Sequence, residues 1–142
     1  MPSQLQSPEL QAWAAGFPVT LLHVGVTLVI LVGGTALYAL LTPHREIQLI
    51  REGNAAAAIS FGGVLVALSI PLAFALSTSA SLLEIGLWGA TTTAVQLALF
   101  WLTDLLLYGL PQRIKEGEIA AAALLVAAKL AGAAILAGAV TA

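Results

Sequence analysis

The sequence predicts an all-α membrane protein whose four transmembrane helices are arranged as two parallel two-helix repeats. Composition is the first observation: 60% of the 142 residues are hydrophobic and 8% are charged, whereas a soluble domain carries roughly 25% charged residues. The second observation is a set of four long apolar runs, because a bilayer core needs roughly 20 apolar residues per helix. The third is a segment of the first half of the chain that recurs in the second half.

Composition also excludes several other classes of protein. The chain has no cysteine, so it has no disulfide framework and no thiolate metal site. Its net charge of −2 does not fit a strongly basic nucleic-acid-binding protein. Continuous apolar runs without period-two alternation favour helices over a transmembrane barrel.

Residues 1–18 are predicted to form an exposed N-terminal lead-in to a single four-helix membrane domain, residues 19–142. The lead-in has no Lys or Arg and carries Glu9, whereas a secretory signal begins with a positively charged region. We expect Trp13 and Phe17 to lie at the level of the lipid headgroups, where aromatic side chains are enriched.

Prolines and polar turns separate the four predicted spans, which are residues 19–41, 55–76, 85–108 and 119–142. Pro43 ends the first span, because proline lacks the amide hydrogen that a helix needs. A polar connector follows, long enough for a short interfacial helix ending at Gly53, and Asn54 is a candidate N-cap for the second span. Pro71 is expected to kink the second span, and Pro111 helps to end the third.

Basic residues predict the orientation of the chain. Two connectors carry basic residues, namely Arg45, Arg51, Arg113 and Lys115. The lead-in and the Ser-rich turn at residues 77–81 have none. The positive-inside rule therefore places both charged connectors in the cytoplasm and both termini outside.

The recurring segment indicates an internal duplication. Ile50-Arg51-Glu52-Gly53 in the first half of the chain matches Ile114-Lys115-Glu116-Gly117 in the second, and an alanine-rich stretch follows both. This predicts a first repeat over residues 19–78 and a second over residues 83–142. Each repeat contains two spans, so both enter the membrane in the same direction, related by a pseudo-twofold axis along the membrane normal. The alternative is that two amphipathic connectors converged on similar residues.

The repeated segment resembles that of the bacterial inner-membrane family catalogued as domain of unknown function 350. The residues that carry the resemblance are Glu46, Ile50, Gly53, Asn54, Ala56, Ala57 and Ala58 in the first copy, and Gly117, Ala120, Ala121 and Ala122 in the second. The second copy has Glu118 where the first has Asn54, so a role of this asparagine does not carry over to it. The resemblance implies an inner-membrane location and a four-span fold, and it brings no established activity.

Lys129, Asp104 and Gln96 are the candidate residues of an intramembrane polar track. Lys129 lies about ten residues into the last span, or roughly 15 Å deep, where a charge costs at least about 2.5–3.5 kcal/mol. Gln96 lies at a similar depth on the third span, and Asp104 lies nearer its connector end. The three could line a pore or an ion site. Alternatives are a structural ion pair or hydrogen bond, a lysine that faces a wet oligomer interface, or a buried neutral lysine.

Small residues are predicted to mediate helix packing, because small side chains spaced four apart let helix backbones approach closely. The candidates are Ala58, Gly62, Gly63, Ala128 and Gly132. The alternative is that the glycines unwind a helix to line an ion site.

Aromatic and histidine side chains receive simpler interpretations. Tyr38 and Tyr108, near the inner ends of spans, and Trp88, near an outer end, are predicted to be interfacial anchors. His23 has no second ligand nearby in the sequence and is expected to be packed or solvated. His44 lies in a charged connector and is expected to meet water.

No catalytic motif is present: the chain has no G-x-S-x-G, H-E-x-x-H, Walker or G-x-G-x-x-G sequence. The sequence therefore predicts no enzyme, no cofactor and no metal. One interpretation is a structural or adaptor subunit of the inner membrane whose charged connectors dock a cytoplasmic partner protein. The other is a small channel or transporter with a polar track that includes Lys129. A homo-oligomer within the lipid bilayer is expected.

Overall fold

Six helices make up the described part of the chain, residues 7–42 and 45–142 of a computed structural model, and this part contains no strand. In chain order they are α1 (Pro8–Leu41), α2 (Glu46–Arg51), α3 (Ala55–Thr78), α4 (Leu82–Leu106), α5 (Leu110–Lys115) and α6 (Ile119–Val140). Helices α1, α3, α4 and α6 are long and apolar enough to cross a membrane. This confirms the predicted helical membrane fold with four spans. Pro43 and His44 lie outside the described residues, as do residues 1–6.

Helix α1 begins at Pro8, well before the predicted start of the first span at Val19. Ser7 caps it, since its hydroxyl accepts a hydrogen bond from the amide of Leu10 at 3.3 Å. Residues 8–18 are therefore helical and continuous with the span. Gly34 and Tyr38 are the buried residues of this 34-residue helix. Helix α1 thus lies at the edge of the bundle and contacts α3 and α4.

The closest helix pair is α3 with α6, and Gly63 lies at their contact. A Cβ atom added to Gly63 would clash with both methyl groups of Val126 on α6. Near the connectors, the alanine-rich starts of the two helices pack together with residues of α5, in a cluster of Ala56, Ala57, Leu110, Ile114, Ala121, Ala122 and Leu125. The absence of bulky side chains at the glycine and alanine positions allows the two backbones to approach closely.

The other small residues that the sequence singles out have less crowded surroundings. Ala58 is exposed, and a Cβ atom added to Gly62 would meet nothing within 4 Å. Ala128 is half-buried. A Cβ atom on Gly132 would make an ordinary contact of 3.9 Å with Leu99 of α4.

Helices α2 and α5, one in each connector, have the same local geometry. Gly53 and Gly117 end them with φ angles of 88° and 84°, a left-handed conformation that favours glycine. The amide of Gly53 donates to the carbonyl of Ile50 at 3.0 Å, and that of Gly117 donates to Ile114 at 2.9 Å. The predicted short connector helix is confirmed, whereas the duplication of the two whole halves stays a prediction.

Asn54 joins the two connectors. Its Oδ1 accepts a hydrogen bond from the amide of Ala57 at 3.0 Å, which confirms it as the N-cap of α3. Its Nδ2 donates to the carbonyl oxygens of Ile114 and Lys115 at 3.0 and 3.1 Å. One side chain therefore caps α3 and holds the end of α5, so both charged connectors lie at the same end of the bundle.

Glu118, at the position matching Asn54, acts differently. It makes no side-chain cap for α6, and it accepts a hydrogen bond from Nε of Arg113 at 2.6 Å. This hydrogen bond holds the pKa of Glu118 below its usual value. The second connector is thus closed by an exposed ion pair rather than by an asparagine.

Candidate functional site

Five helices each contribute one side chain to a polar cluster near the connector end of the bundle. The polar cluster consists of Tyr38 on α1, Glu46 on α2, Ser60 on α3, Asp104 on α4 and Lys129 on α6. Four of the five are buried, and the Asp104 side chain keeps 25% of its surface exposed.

Lys129 and Asp104 form an ion pair inside the bundle. The Nζ of Lys129 lies 3.1 Å from Oδ1 of Asp104, and Lys129 is 2% exposed. Side chains on a helix lean toward its N-terminus, so this ammonium lies nearer the connectors than its own Cα atom. It meets Asp104 close to the C-terminal end of α4. The structure therefore brings together two of the three predicted track residues.

Two aromatic rings complete the surroundings of the ammonium. The Lys129 Nζ lies 5.3 Å from the centroid of Tyr38 and 5.3 Å from that of Phe100. The two rings meet edge to face at 5.9 Å. Since a cation over an aromatic ring gains about 2 kcal/mol when desolvated, the two rings add to the stabilisation that Asp104 gives.

Glu46 is the second carboxyl group of the polar cluster. Its Oε1 accepts hydrogen bonds from the hydroxyl of Tyr38 at 2.9 Å and that of Ser60 at 3.3 Å. Its Oε2 is buried without a hydrogen-bond partner among the described residues. Burial raises the pKa of Glu46, while the Tyr38 hydrogen bond and the charge of Lys129 oppose this rise. The carboxyl is therefore subject both to burial, which favours its protonated form, and to neighbours that favour its ionised form.

Arg45 sets the position of Glu46. It has a left-handed backbone with φ of 47° and ψ of 48°, a conformation that a non-glycine residue seldom adopts. This turn immediately precedes α2, which begins at Glu46. The short helix thus presents its first side chain to the interior of the bundle rather than to the connector surface.

Gln96 lies deeper on the face of α4 that carries Asp104. It is 0% exposed, and neither of its amide atoms has a hydrogen-bond partner within the described chain. The hydroxyl of Thr93, about one turn earlier on α4, also has no hydrogen-bond partner among the described residues. Phe100 lies between Gln96 and Asp104 along this face of the helix. Gln96 is therefore not bonded to the ion pair, and the predicted track is interrupted at Phe100.

Sequence reasoning misses three members of the polar cluster. It assigns Glu46 to the repeat connector alone and gives Ser60 no role. Tyr38, predicted to be an interfacial anchor, is 4% exposed because it packs among Phe61 and Phe100. Tyr108 is 92% exposed.

One signal in the sequence could have identified the polar cluster. When the two halves are aligned so that Ile50 matches Ile114, each of the five members stands opposite a leucine. The matching residues of Tyr38, Glu46, Ser60, Asp104 and Lys129 are Leu102, Leu110, Leu124, Leu40 and Leu65. The polar side chains thus depart from the internal similarity at every one of these positions.

The described residues contain no group of three or more His, Cys, Asp or Glu side chains that could hold a metal ion. The repeat-connector residues Ile50 and Ile114 have a packing role: Ile114 belongs to the apolar cluster of α3, α5 and α6 described above, and Ile50 packs against it.

Comparison with known proteins places this chain among membrane proteins. Residues 12–140 match the family model described as Domain of Unknown Function (DUF350). The UPF0719 inner membrane protein YjfL of Escherichia coli (strain K12) is 34% identical over 109 residues, which are 77% of this chain and 81% of that protein. The protein of the same name from Escherichia coli O157:H7 matches with the same identity and coverage. No solved structure matches.

Proposed function

The chain belongs to the DUF350 family, and from this premise we propose that it is an inner-membrane channel or transporter in which the polar cluster binds the translocated proton. The inner-membrane location follows from the name of the relatives described above. No activity comes with that name, so the proposal rests on the chemistry of the five clustered side chains.

The observation that carries the proposal is the environment of Glu46. One of its oxygens accepts two hydroxyl hydrogen bonds, and the other is buried without a partner among the described residues. An ionised carboxylate would leave charge on that unpaired oxygen, whereas the protonated form does not. Carboxyl groups inside membrane bundles are typical members of proton relays. Lys129 adds a fixed positive charge that favours release of the proton from Glu46.

A purely structural role explains the polar cluster less well. Replacing a buried ion pair by well-packed apolar residues is often neutral or stabilising, by about 1–4 kcal/mol. A buried polar network with unpaired members is less stable than an apolar core. Stability therefore does not explain the presence of Lys129 and Glu46, whereas proton binding does.

The proposal includes an orientation and an assembly. Both charged connectors face the cytoplasm and both termini face outward, so the polar cluster opens toward the cytoplasmic side. Close packing of α3 against α6 leaves little room for a path inside one chain. The path across the outer half of the membrane then runs between copies in a homo-oligomer.

Proton movement into liposomes tests the proposal. The purified protein is reconstituted with an enclosed pH-sensitive dye, and a potassium gradient with valinomycin drives proton entry. Glu46→Gln and Lys129→Met should slow entry by about tenfold or more, since the first removes the proton-binding carboxyl and the second removes the charge that favours release of its proton. The same substitutions at exposed connector residues are the matched controls: Glu52→Gln and Lys115→Met should leave the rate of proton entry unchanged.

Two results would contradict the proposal. One is wild-type protein that moves protons no faster than empty liposomes. The other is Lys129→Met protein that assembles normally on a sizing column and conducts at the wild-type rate.

An adaptor role is the second candidate, because the two connectors form one continuous surface. Asn54 bonds them together, and this surface exposes Arg51, Glu52, Lys115 and Glu116. A cytoplasmic partner protein would recognise this mixture of charges. Affinity capture from mild detergent should then recover a stoichiometric partner from wild-type protein and lose it after Arg51→Glu with Lys115→Glu. If this double charge reversal leaves the recovery of the partner unchanged, the connector surface is not its binding site.

A further inference from the structure

A cleft of about 1050 Å³ lies beside the polar cluster. It is bounded by the C-terminal ends of α1 and α4 and by the start of α5. Its walls are mostly apolar, and its aromatic lining consists of Tyr38, Phe100, Trp101 and Tyr108. Asp104 is the acidic group among the described lining residues, and none of these residues is basic. Its described lining therefore combines one carboxylate, which is paired with Lys129 on its buried side, with aromatic walls.

We propose that this cleft binds a lipophilic organic cation, with the positive centre at Asp104 and the apolar groups against Trp101 and Tyr108. The volume is in the range of sites for small organic ligands. The proposal concerns equilibrium binding, so it stands or falls separately from proton movement through the polar cluster.

Charge complementarity selects the class of ligand. Oδ1 of Asp104 faces Lys129, while a quarter of the side-chain surface stays exposed. An anionic ligand would be repelled by this carboxylate and would find no basic partner among the described lining residues. A cation gains the interaction that the carboxylate still offers.

The aromatic walls favour the same ligand class. Trp101 is 68% exposed, and an indole face is the strongest aromatic partner for a cation. Tyr38 and Phe100 already contact a cation on their buried side, because the Lys129 ammonium lies against both rings and beside Asp104. The aromatic faces open to a ligand in the cleft are therefore those of the exposed Trp101 and Tyr108.

The binding of two ions of the same shape and opposite charge tests the proposal. Tetraphenylphosphonium and tetraphenylborate are each equilibrated by dialysis with the purified full chain in neutral detergent, and uptake by protein-free micelles is subtracted. We expect saturable binding of the phosphonium and no saturable binding of the borate. Asp104→Asn should weaken phosphonium binding by about tenfold or more.

A second variant separates loss of the cleft from disturbance of the Lys129 ion pair. Ala98 lines the cleft and carries no charge, so Ala98→Trp should fill the space and weaken phosphonium binding to a similar extent. Ala94 lies one turn earlier on α4 and is not a lining residue. Ala94→Trp is therefore the matched control and should bind as the wild type does.

Three outcomes would overturn the proposal. Equal binding of the borate would mean that the cleft takes up any lipophilic molecule, including lipid or detergent. Unchanged phosphonium binding by Ala98→Trp would place the ligand elsewhere. Absence of saturable phosphonium binding, together with a smaller assembly of Ala98→Trp on a sizing column, would show that a second copy fills the cleft.

Discussion

Lys129 is almost fully buried, and the free-energy cost of burying its charge depends on its neighbours. Asp104 supplies the countercharge at 3.1 Å, and two aromatic rings cover other sides of the ammonium. Removing one partner of such a pair leaves an uncompensated charge, whereas removing both does not. The double substitution of these residues should therefore destabilise the protein less than the single one does.

Lys129→Met should lower the free energy of unfolding by about 3–5 kcal/mol, because Asp104 loses its partner. Lys129→Met combined with Asp104→Leu should recover most of this loss. Lys115→Met, at an exposed lysine, should change stability by less than about 0.5 kcal/mol. Denaturant unfolding in detergent, followed by circular dichroism, measures all three. A double variant as unstable as the single one would show that Asp104 is not the charge left unpaired.

The residue scale also shows how far the sequence predicts the site. Lys129 and Asp104 could be identified because charges are costly in apolar helices. Glu46 could not be identified by the same reasoning, because a glutamate in a charged connector normally meets water. Its burial follows from the left-handed turn at Arg45 and from the partners on α1 and α3, which only the assembled bundle brings close.

At the scale of the elements, the contact between α3 and α6 depends on which face each helix presents. Apart from single polar residues such as Ser60 and Lys129, both helices are apolar around their whole circumference, so hydrophobic periodicity does not indicate the packed face. This is why adjacent glycines could not be told apart from the sequence. Gly63 meets Val126, and Gly62 has open space beside it.

Alanine substitutions at these two adjacent glycines should therefore have opposite effects. Gly63→Ala forces α3 away from Val126 and should destabilise the protein by about 1–3 kcal/mol. Gly62→Ala meets nothing within 4 Å and should be neutral or stabilise by up to about 1 kcal/mol, because alanine favours the helix. Thermal unfolding in detergent compares the two Tm values. Equal Tm values would mean that α3 and α6 do not approach each other at Gly63.

At the scale of the whole molecule, the position of the connectors determines how the chain sits in the membrane. The hydrogen bonds of Asn54 to α5 hold both connectors at one end. Arg45, Arg51, Arg113 and Lys115 therefore all lie on one side of the bundle. The four spans could be predicted because their length and apolar character are properties of the chain alone. Their packing order depends on contacts between distant segments.

Reporter fusions test the predicted orientation. A reporter that is active only in the cytoplasm should be inactive when fused after Ala142 and active when fused after Glu116, in the second connector. A reporter that is active only outside the cytoplasm should give the reverse pattern. Cytoplasmic activity at Ala142 would contradict the positive-inside assignment.

The hydrogen bond from Tyr38 on α1 to Glu46 has a consequence for the position of α1. Burial raises the pKa of this carboxyl, and the hydrogen bond from Tyr38 on α1 lowers it. Displacement of α1 would remove that bond and also admit water to the carboxyl, and because burial has the larger effect, it would lower the pKa and weaken proton binding. Because linked equilibria are reciprocal, protonation of Glu46 must strengthen the hold on α1 by the same free energy. The position of this edge helix and the protonation of Glu46 are thus thermodynamically coupled: protonation favours the packed helix, and displacement favours loss of the proton.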